Sequence, residues 1–91
     1  MILGIFTISG HSMLPVLHPS DRVLVSSIPY YFSTPKKEDI VLFKKNGKFI
    51  IKRIVKSENG KISVAGDNKK DSSYNTTVTR EDIVGKMIYK F

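Results

Sequence analysis

The sequence predicts an all-β fold, a small single domain over residues 1–91 with a barrel-like or sandwich architecture. Three observations predict it. The apolar runs are short and rich in Val, Ile and Phe; turn residues separate them; and no stretch carries a convincing helical period. A chain of 91 residues holds one modest core and has no room for a second.

The elements follow in order. Residues 2–8 form a first strand, and 9–21 a loop containing Gly10, Pro15 and Pro19. Arg22–Ser26 is the second strand, followed by a loop over 28–38 that holds Pro29, Tyr30, Tyr31, Phe32 and Pro35. Asp39–Phe43 is a strand, and Lys45-Asn46-Gly47-Lys48 is a hairpin signal because Asn-Gly suits the tight turn between antiparallel strands. Phe49–Ser57 is the longest strand. Asn59-Gly60 turns the chain again into Lys61–Ala65. Residues 66–80 form a polar loop, with room for one helical turn at 79–82, and Ile83–Tyr89 closes the fold.

Composition narrows the function. Hydrophobic residues make up 41% and charged residues 25%, which is ordinary for a globular protein and argues against disorder. The absence of Cys excludes a disulfide framework and a Cys-based metal site. Fifteen Lys and Arg against 8 Asp and Glu give a net charge of +7, which favours anionic partners, phosphate backbones or lipid head groups alike. No apolar run approaches the ~20 residues that span a bilayer. The apolar start, Met1–Ile8, reads as a strand, or as the stub of a helix from a longer parent chain, and it lacks the basic segment of a signal peptide.

The chemistry begins at Ser9-Gly10-His11-Ser12-Met13-Leu14-Pro15, a glycine-flexed loop that presents one serine between two strands. A serine hydroxyl needs a base to become a useful nucleophile. His11 adjoins Ser12, but neighbours in an extended segment point apart. His18 follows within the same loop with nothing to hold it there. Lys52 is the better base. Alternation along Phe49–Val55 puts Ile50, Lys52 and Ile54 on one face and Phe49, Ile51, Arg53 and Val55 on the other. An ordinary lysine is neutral in only about one molecule in 2,500 at pH 7. If the face of Ile50 and Ile54 is interior, desolvation favours the neutral amine that a base requires. Taken without the serine loop, Lys52 reads more simply as a strand lysine whose charge snorkels to water.

Ser12-Met13-Leu14-Pro15, followed by Asp21-Arg22-Val23-Leu24-Val25, resembles the nucleophile box of type I signal peptidases. Asp39–Phe43, Lys52-Arg53-Ile54-Val55, Gly66-Asp67-Asn68 and Val84-Gly85-Lys86 are similar to later boxes of that family, in the same order. The resemblance implies the signal-peptidase and SOS-repressor fold and a serine endopeptidase with Ser12 as nucleophile and Lys52 as base. It implies an oxyanion hole using the Ser12 backbone N–H; the serine that supplies a second donor in some members is replaced by Gly10. Met13 belongs to the same box, and Ser72 matches a serine that supports the lysine, with Ser73 as the alternative. Arg53 and Asp67 match a pair that ties the base strand to the third box. No metal or cofactor is implied. The expected substrate is a signal or pro-peptide with small residues such as Ala before the cleaved bond.

Several positions depart from the pattern. Ser20 and Glu38 stand where the family usually has Gly before Asp21 and Asp39, and Tyr74-Asn75-Thr76 replaces the usual Asp-Ser-Arg. The resemblance implies a minimal core without the cap insertion or leading membrane helix of some members. The aromatics at 30–32 beside Lys36 and Lys37 suit either an interfacial membrane contact or a loop packed back on the core. With the family resemblance they lead to the expectation of an enzyme held at a membrane, peripherally or through an anchored partner, on the extracytoplasmic face; a soluble cytoplasmic form is the alternative. Two other functions compete. A self-cleaving repressor-type peptidase shares the dyad, but only 11 residues precede Ser12 and they contain no Ala-Gly bond. A basic β-barrel that binds nucleic acid would use the +7 charge, and would make the Ser and Lys boxes coincidental.

Overall fold

A computed structural model describes residues 3–71 and 75–91. Among these residues the chain is mostly β, with seven strands in one antiparallel sheet. They are β1 (Leu3–Thr7), β2 (Arg22–Ser26), β3 (Ile40–Lys45), β4 (Lys48–Glu58), β5 (Lys61–Ala65), β6 (Asn75–Val78) and β7 (Ile83–Lys90). The order across the sheet is β1-β2-β7-β3-β4-β5-β6. Both Asn-Gly signals are two-residue hairpin turns: Asn46 and Gly47 have φ of 53° and 77°, and Asn59 and Gly60 have 51° and 78°. This double left-handed turn matches the twist of the strands it joins.

The sheet buries side chains on both faces. Ile40 and Leu42 of β3 pack with Ile8, Met13, Leu17, Val23, Val25 and Ile51 in one cluster. Val41 and Phe43, the alternate residues of the same strand, pack with Ile54, Ile62, Val64, Val78 and Ile83 in a second. A strand covered on both sides reads as a continuous apolar run, which is the pattern of Ile40–Phe43. The sheet coils around each cluster. One consequence is that Gly4, Ile5 and Phe6 of β1 come to line the same depression as Phe49 of β4. Another is that Lys45 Nζ at the β3–β4 turn donates to the Thr77 carbonyl of β6 at 2.9 Å.

Two segments expected to be loops contain regular structure. Within residues 66–80, Asn75–Val78 forms the edge strand β6, paired with β5 from Ile62↔Val78 to Ala65↔Asn75. Only Val78 of this strand is buried, so its apolar alternation is too short to register as a pattern. A short 3-10 turn, Lys69–Asp71, precedes it, and the turn expected at 79–82 is the 3-10 segment Arg80–Asp82. Within residues 28–38, Pro29–Phe32 forms a single helical turn, α1. The turn separates its aromatics. Tyr30 is buried and its hydroxyl donates to Asp39 Oδ2 at 2.7 Å; burial, then this bond, push its pKa upward. Tyr31 and Phe32 face outward, 63% and 86% exposed.

Candidate active site

The loop carrying Ser12 is closed at its base and pinned at its middle. Ile8 N–H donates to the Asp21 carbonyl at 2.8 Å, and Ser20 N–H donates to the Ile8 carbonyl at 2.9 Å. Met13 and Leu17 drop into the first core cluster, 1% and 0% exposed, with Leu17 N–H bonded to the Met13 carbonyl at 2.9 Å. Met13 is therefore an apolar anchor directly after the serine. Gly10 has φ of +79°, a left-handed bend that suits glycine. Ser12 is half-buried, whereas His11 and His18 are exposed.

Lys52 is 6% exposed on β4. Its register partner is Val41, and Ile50 and Ile54 flank it two residues away on the same face, packed with the second cluster. The expected alternation holds up to Ile54, where a register shift interrupts the β4–β5 ladder before Lys56. Ile51, on the opposite face, is buried too. Lys52 thus sits where the sheet is covered on both sides, in the desolvated setting that a neutral amine base requires.

The segment after β5 joins these two elements. Arg53 pairs in register with Ala65, the last residue of β5, and Gly66 follows directly after it. Gly66 lies against the serine loop: a β-carbon there would be 2.5 Å from the Ser12 carbonyl oxygen and 3.2 Å from Ser12 Cβ. Asp67 takes a two-point hydrogen bond from Arg53, Nε to Oδ1 at 2.8 Å and Nη2 to Oδ2 at 2.9 Å. These bonds push the Arg53 guanidinium above its ordinary pKa, and its third nitrogen donates to the Glu38 carbonyl at 2.9 Å. The Arg53–Asp67 pair ties β4 to the segment after β5. Asn68 completes the contact with two bonds, its N–H to the Ser12 carbonyl at 2.8 Å and its Nδ2 to the His11 carbonyl at 2.9 Å. Gly66 and Asn68 belong to the third box, in which the resemblance gives neither a separate task; their adjacency to Asp67 is the signal the sequence holds. The Ser72 and Ser73 alternatives lie outside the described residues.

Beside Ser12 opens a cleft of ≈ 180 Å³ lined by Phe6, Ser9, Ser12, Phe49, Ile50 and Ile51. It adjoins an apolar depression of ≈ 190 Å³ through Phe6 and Phe49. Larger open hollows surround Lys56, with Val55, Ser63 and Thr77 among their lining residues, and they share no residue with the Ser12 cleft.

Comparison with known proteins shows the family of the chain. A family model described as Peptidase S24-like matches residues 3–88. The chain is 38% identical over 88 residues to the probable thylakoidal processing peptidase 2, chloroplastic, of Arabidopsis thaliana, covering 86% of this chain and 23% of that protein. It is 44% identical over 36 residues to signal peptidase I of Leptolyngbya laminosa, covering 40% of this chain and 18% of that protein. The chain thus spans less than a quarter of the length of either relative.

Proposed function

The chain belongs to the Peptidase S24-like family, and from that premise we propose that it is a serine endopeptidase that uses a Ser12/Lys52 dyad to remove signal or pro-peptides from other polypeptides. The observation that carries the proposal is the junction of three segments. The Ser12 loop rests on Gly66–Asn68, and Asp67 of that segment is locked to Arg53, the residue after buried Lys52. The names of the two relatives, a thylakoidal processing peptidase and a signal peptidase, favour cleavage of other chains over self-cleavage.

The mechanism follows from the chemistry of the pair. Ser12 Oγ attacks the scissile carbonyl and passes its proton to the neutral Lys52 amine. The Lys52 ammonium returns that proton to the leaving amine, which departs and leaves Ser12 acylated. Water then attacks the ester, its proton going to Lys52 and on to Ser12 Oγ as the new carboxylic acid leaves. The cleft lined by Phe6, Ser9, Ser12, Phe49, Ile50 and Ile51 would receive the side chain before the scissile bond.

The site of action in this proposal is the surface of an anionic membrane. Exposed Tyr31 and Phe32 beside exposed Lys36 and Lys37, in a chain of net charge +7, provide the apolar and cationic groups that such a surface attracts. Among the described residues no helix is long and apolar enough to cross a membrane.

The test is cleavage of an Ala-x-Ala peptide, followed by mass spectrometry of both peptide and enzyme. Ser12→Ala and Lys52→Ala each abolish cleavage while the enzyme stays intact. Full activity in Lys52→Ala removes the lysine as base, and a shortened enzyme moves the reading to self-processing.

A further inference from the structure

With glycine at position 10, an oxyanion hole at this site rests on the Ser12 N–H. The question is what aims that one donor. The His11 carbonyl and the Ser12 N–H belong to a single trans peptide, so they share a plane and point in opposite directions. Whatever holds the carbonyl also sets the direction of the N–H. The group that holds it is Asn68 Nδ2, at 2.9 Å from the His11 oxygen. Asn68 also holds the next carbonyl, because its own N–H donates to the Ser12 oxygen at 2.8 Å. One residue therefore grips the peptide groups on both sides of the Ser12 Cα.

Asn68 is itself oriented. Its Oδ1 accepts the Lys70 N–H at 3.1 Å, which leaves the amide nitrogen directed at His11. On its other side, the bond pair between Arg53 and Asp67 anchors the segment to β4.

We infer that Asn68 is a positioning residue for the oxyanion hole. By donating to the His11 carbonyl it turns the Ser12 N–H away from itself and toward the cleft, and it polarises that amide so that the N–H is a stronger donor. This inference rests on the peptidase reading of Ser12. It extends that reading by giving the third box a task in transition-state stabilisation, separate from support of the lysine.

The test separates transition-state from ground-state effects. Asn68→Ala removes the side-chain bond and keeps the backbone bond to Ser12. Asn68→Asp keeps the size of the side chain, but its carboxylate accepts hydrogen bonds and cannot donate one. Both variants are measured for kcat and KM on an Ala-x-Ala peptide, for affinity to the product peptide, and for affinity to a peptide aldehyde. The hemiacetal that the aldehyde forms with Ser12 puts an oxygen in the same hole. In both variants kcat falls about 10- to 100-fold, less than the 10²–10³ lost when an oxyanion donor is deleted outright. Aldehyde affinity falls in parallel, while KM and product affinity stay within about twofold, since ground-state binding does not use the hole. The Asp variant supplies the reading if the Ala variant does not fold.

An unchanged kcat overturns the inference. So does a joint loss of aldehyde and product affinity, which marks a general collapse of the site. If the wild-type protein neither cleaves the peptide nor binds the aldehyde, the peptidase reading itself fails and this inference with it; a fully active Asn68→Asp enzyme overturns the inference alone.

Discussion

Gly66 and Ser12 approach so closely that a β-carbon on Gly66 would lie 2.5 Å from the Ser12 carbonyl oxygen. The obstacle is main chain, which no side-chain rotation can move aside. Gly66→Ala therefore forces the serine loop away from β4 or distorts the segment after β5. The expected cost is about 1–3 kcal/mol of stability, as for other overpacked sites. Activity on an Ala-x-Ala peptide should fall by at least ~10²-fold, since displacing a reacting group by about 1 Å is enough for that. Urea denaturation and single-turnover kinetics measure the two effects separately.

Arg53 and Asp67 form a partly buried pair, with side chains 24% and 15% exposed. Two parallel charge-assisted bonds are geometrically selective, so Arg53→Lys should not restore what Arg53→Ala loses. A double-mutant cycle over Arg53→Ala and Asp67→Ala should give a coupling of about 1–2 kcal/mol in denaturation experiments. Coupling near zero would show that the pair is incidental to the fold.

Ser20 and Glu38 have φ of 75° and 82°, both in the left-handed region where a side chain is strained. The bonds at these residues are made by main chain: Ser20 N–H to Ile8, Glu38 N–H to Ile54, and the Glu38 carbonyl to Arg53. Glycine keeps all three. Each substitution to Gly should stabilise the protein by about 0.5–1 kcal/mol, the strain relief being partly offset by the greater freedom of the unfolded chain. The two sites are expected to add, and the double variant should melt several degrees higher.

Asp21 closes the serine loop. The His18 N–H donates to its Oδ2 at 2.9 Å, and Lys90 Nζ lies 3.4 Å from the same oxygen. The His18 bond is the main cause that holds its pKa below the ordinary 3.8; partial burial opposes it and Lys90 adds to it. A carboxylate depressed on folding contributes stability above its unfolded pKa, about 3.9, and loses it as pH falls through the lower folded value. Asp21→Asn keeps an acceptor and removes the titration. Wild type should be the more stable at neutral pH, and the difference should shrink below about pH 4 in a series of denaturation midpoints. A gap independent of pH would mean that the carboxylate charge contributes nothing.

Phe32 is 86% exposed at the tip of α1, and the chain has no tryptophan. Phe32→Trp is therefore a single fluorescent reporter. Its emission should shift to the blue with vesicles containing anionic lipid, and the shift should weaken as salt rises, because Lys36 and Lys37 contribute by charge. No shift at low salt would exclude this tip from the membrane.

The strands and their hairpins were legible because they are local. Alternation assigned Lys52 to the face of Ile50 and Ile54, and the Asn-Gly pairs located both tight turns. Strand β6 was not legible: only Val78 of its four residues is buried, and its place comes from pairing with β5. The sequence also left Tyr30, Tyr31 and Phe32 equivalent, and the buried Asp39 separates them by holding Tyr30 inside. The pattern within one segment reports which face a residue shares, so the sequence by itself determined the fold class, the candidate nucleophile and the candidate base. It carries no distances between segments. Only the tertiary structure decided that both faces of the sheet are covered around Lys52. Likewise, only the folded chain brings Asn68 within hydrogen-bonding reach of His11, 57 residues away, since that contact depends on strand register and on the glycine that lets two main chains meet.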